Sequence, residues 1–161
     1  MAKNLNEALD NLEMTYGQVA DIADAMLKEI LSPVTNLINV IGEDINSLSV
    51  DQLKEYMWKL QYKAYSLSEI KEKSLLKAEL AETLQKEKFA MKFNEANGAA
   101  AVKNNIALIQ TSEEIVVQAL YESISSQLKT KVDQLHRMVD AIKSILVTRM
   151  QEAKLTISNV E

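Results

Sequence analysis

Apolar residues recur along this chain at the three-and-four spacing of a helical face, and little in the sequence interrupts them. Over Asn4 to Leu31 the set is Leu5, Leu9, Leu12, Tyr16, Val19, Ile22, Ala23, Met26, Leu27 and Ile30, which predicts one helix. That helix is expected to end or kink at Ser32. Pro33 disfavours helical geometry in the residue before it and has no backbone N–H to donate. Proline also suits the first turn of a helix, so Val34 to Ile45 reads as a second, shorter one carrying Val34, Leu37, Ile38, Ile41 and Ile45. Residues 1–48 are thus an expected N-terminal helical pair.

Ser49-Val50-Asp51-Gln52 has the form of a capping box, and a Lys-rich helix is expected over 49–97. Ser66-Leu67-Ser68-Glu69 is a second box at which that helix could restart. Asn97-Gly98 supplies its stop, because both residues tolerate positive φ. Residues 98–111 form a connection of low charge that fits either a mobile loop or a short strand. Thr111-Ser112-Glu113-Glu114 is a third box, with Glu113 and Glu114 as charges at a helix N-terminus, and it opens a long C-terminal helix over 112–155. Along that helix Val117, Tyr121, Ile124, Leu128, Val132, Leu135, Val139, Ile142 and Leu146 form a near-heptad seam with one stutter between Leu128 and Val132. The tail from Leu155 loses the pattern and is expected to fray or to serve an assembly contact.

A helix of 43 residues would be about 65 Å long, whereas a compact globule of this length has a diameter of roughly 40 Å. The helix must therefore project, bend or lie along other long helices. The expected fold is all-α: a single domain, 1–161, forming an elongated helical bundle with two long helices, the C-terminal one coiled-coil-like. Two long helices and a shorter pair do not easily cover a 30-residue seam from all sides. The seam residues are accordingly assigned to oligomerisation.

Composition narrows the chemistry. The chain has 161 residues with one proline and three glycines, 47% hydrophobic and 25% charged, which is too apolar for disorder. There is no cysteine, so disulfides, thiolate nucleophiles and zinc-thiolate sites are excluded, in keeping with a cytoplasmic location. No apolar run is long enough for a membrane span, and the N-terminus lacks the apolar core of a signal peptide. His136 is the single histidine, and Asp133-Gln134-Leu135-His136 offers only half of a helical di-metal site. No glycine-rich phosphate loop or nucleophile turn is present. The expectation is no catalytic residue, no metal, no cofactor and no enzymatic activity.

One constellation has chemistry of its own. On a continuous helix Lys59, Lys63, Lys73, Lys77, Lys88 and Lys92 fall within a sector of roughly 100°, with Tyr56, Trp58, Tyr62, Tyr65, Phe89 and Phe93 flanking it. Such a row can follow a phosphate backbone while aromatic faces stack bases. The same lysines can equally be a solvated flank whose stems cover a core stripe, since Leu80, Leu84 and Met91 overlap one edge of the sector. The formal charge of −5 opposes nucleic acid over the surface as a whole.

Leu76-Lys77-Ala78-Glu79-Leu80, on a Lys-rich helix followed by a Gly-containing connection and a long helix bearing Asp140-Ala141-Ile142-Lys143-Ser144, resembles the UvsY-like recombination mediators of T-even-type phages. The resemblance spans Lys71 to Arg149. It implies single-stranded DNA binding through the first stretch and oligomerisation through the C-terminal helical region. Glu79 stands where the family has arginine, so of the motif's basic positions only Lys77 carries over. The function expected is a non-enzymatic, homo-oligomeric helical accessory protein, phage-type and cytoplasmic, binding single-stranded DNA and a recombination or replication partner. The alternative is a phage-type protein–protein interaction module, such as an adaptor, an assembly factor or an inhibitor of a host defence protein, with no nucleic-acid contact.

Overall fold

A computed structural model describes the backbone of residues 2–158 and the side chains of residues 17–155. Among the described residues it has four helices and no strand: α1 (Ala2–Glu43), α2 (Val50–Glu95), α3 (Ala100–Gln110) and α4 (Ser112–Ser158). The fold is an all-α helical bundle. Leu5, Leu9, Leu12 and Tyr16 lie outside the described side chains.

The break expected at Ser32 does not occur, and the N-terminal pair is one helix of 42 residues with Pro33 inside it. Pro33 cannot donate to the Glu29 carbonyl, and a proline inside a helix costs about 3 kcal/mol. Val34, Ile38 and Ile41 follow it at spacings of four and three, and all are buried. Each such side chain contributes about 1.5–3 kcal/mol on burial, so continuing the helix outweighs the lost hydrogen bond.

The box at Ser49 forms as its residues require. Gln52 N–H donates to Ser49 Oγ at 3.2 Å, and Ser49 N–H donates to Gln52 Oε1 at 2.8 Å. The second box does not restart the helix: α2 runs unbroken for 46 residues, with Leu67 buried inside the motif. It stops where expected, and Gly98 takes φ +115, a conformation that glycine alone adopts without strain. The connection over 98–111 is neither a loop nor a strand but α3, opened by Lys103 N–H donating to the Ala99 carbonyl. Its alanines favour helix intrinsically, and Ala107 is fully buried. The third box is also revised. Thr111 is buried, and its hydroxyl turns back to donate to the Ala107 carbonyl at 3.0 Å while accepting from Gln85 Nε2 at 3.4 Å.

Two compact units divide the chain, Met1–Lys28 with Ile70–Gln127 and Glu29–Glu69 with Leu128–Glu161, and neither is a contiguous stretch. The second unit has a core of large aliphatic side chains. Val34, Ile38 and Ile41 of α1, Leu53, Leu60, Ala64 and Leu67 of α2, and Leu128, Val132, Leu135, Val139, Ile142 and Leu146 of α4 are all buried. Arg149 closes its α1–α2 turn, donating to the carbonyls of Leu48 and Asn46. The first unit is built differently. Its interior is Val19, Ala23 and Leu27 of α1, Ser74, Ala78 and Ala81 of α2, Ala107, Thr111 and Ile124. Small side chains at helix contacts allow close axial approach, and the Ser74 hydroxyl is satisfied by the Ile70 carbonyl at 2.9 Å.

Two expectations follow for stability. Leu135→Ala empties a fully buried position and should cost about 2–5 kcal/mol in urea denaturation, whereas Leu80→Ala, at an exposed position, should stay within about 0.5 kcal/mol. Pro33→Ala restores a helix donor at an exposed position and should raise stability by about 1–3 kcal/mol; a loss in the same assay would mean that the proline ring itself is needed.

Candidate interaction surfaces

The six lysines of the expected sector divide between the two units, Lys59 and Lys63 in the second and Lys73, Lys77, Lys88 and Lys92 in the first. Most are already engaged. Lys59 pairs with Glu55 one turn away and sits 5.5 Å from the Tyr56 ring centre. The hydrogen bond to Glu55, reinforced by its charge, raises the Lys59 pKa. Lys92 pairs with Glu95 at 2.8 Å. Lys88 reaches across to Glu114, which raises the ammonium pKa and lowers that of the carboxyl. The expected N-terminal charge at Glu114 thus also tethers α2 to α4. Lys77 lies 4.8 Å from the Tyr121 ring centre and donates to its hydroxyl at 3.4 Å. Lys63 and Lys73 have no carboxylate partner among the described residues.

Exposed ion pairs are weak and would yield to a phosphate at small cost. What decides the electrostatics is the neighbourhood. Residues 71–95 carry six lysines and five glutamates, and Glu113 and Glu114 add to the acidic side of the same unit. The row is a mixed-charge surface rather than a cationic track.

The α4 seam assigned to oligomerisation is spent inside the chain. In the first unit Ile124 is buried, Tyr121 is half-buried beside Lys77, and Val117 is exposed. In the second unit Leu128, Val132, Leu135, Val139, Ile142 and Leu146 are all buried against the chain's own helices. The seam from Ile124 to Leu146 is thus buried within the chain itself, and of its residues Val117 stays exposed. His136 and Asp133 are exposed, and among the described residues no group of three His, Cys, Asp or Glu side chains is arranged to hold a metal.

α2 carries two exposed faces, of which the sequence pattern indicated the aromatic residues and not the outward aliphatic ones. In the second unit Trp58, Tyr62 and Tyr65 are 72%, 67% and 67% exposed, and their spacing of four and three puts them on one side of the helix. Asp51, Lys54, Glu55 and Glu69 fall within about 60° of Trp58 on the same helix, and all four are exposed, with Lys54 paired to Asp51 and Lys59 to Glu55. In the first unit Leu76 and Leu80 are 64% and 60% exposed, with Leu84 and Met91 also open to solvent. There the small residues Ser74, Ala78 and Ala81 face inward while the large aliphatic ones face out. The signal was readable as two apolar stripes on one helix, of which the sequence reading took the larger side chains for the core.

No helix among the described residues is long and apolar enough to cross a membrane. The resemblance to UvsY-like mediators rests on its two five-residue stretches alone, since no protein-family model, no curated protein and no solved structure matches the chain.

Proposed function

We propose that this chain is a non-enzymatic interaction module that binds a basic segment of another protein through the aromatic face of α2 in the second unit. The observation that carries the reading is the exposure of Trp58, Tyr62 and Tyr65 together on one face. Each aromatic ring can bury about 150–250 Å² in an interface, and Trp and Tyr are the residues most enriched at binding hot spots. Their faces attract lysine and arginine side chains. Of the surrounding carboxylates, Asp51 and Glu55 pair with Lys54 and Lys59, whereas Glu69 has no ion-pair partner among the described residues and favours the same cations. An adaptor or inhibitor role in a cytoplasmic, phage-type setting agrees with this surface. Its non-enzymatic character is supported by the single exposed histidine and the absence of cysteine from the sequence.

A second reading, the single-stranded DNA accessory protein of recombination or replication, draws on Lys63, which has no carboxylate partner in the same unit. Exposed rings can also stack bases. Lys77, which carries over from the resemblance, is held against Tyr121.

Fluorescence anisotropy separates the two. A labelled Arg-rich peptide should bind, and Tyr62→Ala or Tyr65→Ala should weaken it about tenfold without changing the melting temperature, because both rings are exposed. Labelled oligo-dT should show no salt-dependent binding. Oligo-dT binding with a log K against log salt slope of about −0.7 per phosphate, and no binding of the peptide, would replace the first reading with the second.

A further inference from the structure

The outward aliphatic stripe of α2 in the first unit has a self-complementary layout. At 100° per residue, Lys73, Leu76, Leu80, Leu84, Glu87 and Met91 lie within a sector of about 80°, and every one of them is exposed. The leucines occupy the middle, with a lysine on the N-terminal side and a glutamate on the C-terminal side. Neither Lys73 nor Glu87 has an ion-pair partner among the described residues.

We infer that this stripe is the contact between two copies of the chain, packed antiparallel about a two-fold axis level with Leu80. In that register Leu80 is level with its own counterpart, Leu76 is level with Leu84 of the other copy, and Lys73 is level with Glu87. The two-fold axis repeats each of these contacts, as an isologous interface requires. A parallel pairing would instead set Lys73 against Lys73 and Glu87 against Glu87, two like-charge contacts that oppose it.

The match explains why the large side chains point outward. Leu76 and Leu80, 64% and 60% exposed, contribute little to the fold of their own chain, whereas Ser74, Ala78 and Ala81 give the inner face a close contact. One helix face is smaller than a standard interface, so the dimer should be weak and concentration-dependent. The contact uses none of the aromatic residues of the second unit and stands independently of the peptide-binding reading.

Analytical ultracentrifugation of the full chain tests it. The wild-type mass should rise from 18.1 kDa toward twice that value as concentration is raised from about 1 μM to about 200 μM. Leu80→Glu should stay monomeric throughout that range with unchanged circular dichroism. Lys73→Glu and Glu87→Lys should each weaken the dimer about tenfold or more, since each places like charges together at both ends of the contact. An equimolar mixture of those two variants should recover wild-type association, because every charge contact between unlike copies is then complementary. A wild-type chain that stays monomeric at about 200 μM overturns the inference and assigns the stripe to a different protein. Dimerisation that survives Leu80→Glu, or a mixture that does not recover, overturns it equally.

Discussion

The constraint on which the rest of the structure depends is the need to cover the apolar seam of α4. Leu128, Val132, Leu135, Val139, Ile142 and Leu146 would expose a continuous aliphatic face on an isolated helix, and a helix gets most of its stability from burying such a face. In the second unit α1 and α2 provide the cover with Val34, Ile38, Ile41, Leu53, Leu60 and Leu67. Covering a seam of this length within one chain needs long partner helices. That demand accounts for a 42-residue helix that carries Pro33 through its interior and for a 46-residue helix that ignores its internal capping box. Propensity and capping signals are worth about 1–3 kcal/mol each, and several buried aliphatic side chains together exceed them.

On α2 the two units differ in the size of the residues turned inward. In the second unit that helix buries Leu53, Leu60 and Leu67 and displays aromatic rings on one outer face. In the first unit it buries Ser74, Ala78 and Ala81 and displays leucine and methionine on the outer face. A chain selected only to fold would gain by turning those side chains inward. Two outer faces of different character, aromatic in one unit and aliphatic in the other, suit two different kinds of contact.

The helical class, the start of α2 at Ser49, its end near Gly98 and the seam of α4 were legible in the sequence because each is a local pattern. What was not legible depended on partners distant in the chain. Whether Pro33 ends a helix is decided by what Val34 and Ile38 pack against. Whether Thr111 caps forward or turns back is decided by Gln85, twenty-six residues earlier, which donates to its hydroxyl. Arg149 gives no local signal for its role, since it reaches carbonyls about a hundred residues away. The lysine row was visible as spacing, but the carboxylate of Glu114 beside Lys88 and the ring of Tyr121 beside Lys77 come from another helix. The stripe from Leu76 to Met91 was visible as well, and only the burial of Ser74, Ala78 and Ala81 tells which face of α2 is inside.

The central claim is that the α4 seam is closed within a single chain. Native-state hydrogen exchange of the amides from Leu128 to Leu146 tests it most directly, measured at two protein concentrations about a hundredfold apart. A seam covered by its own chain opens with a free energy that does not depend on concentration, so the account predicts the same slow exchange at both. Protection that falls on dilution, in step with dissociation of an oligomer, would show that a second copy covers the seam and would contradict the account.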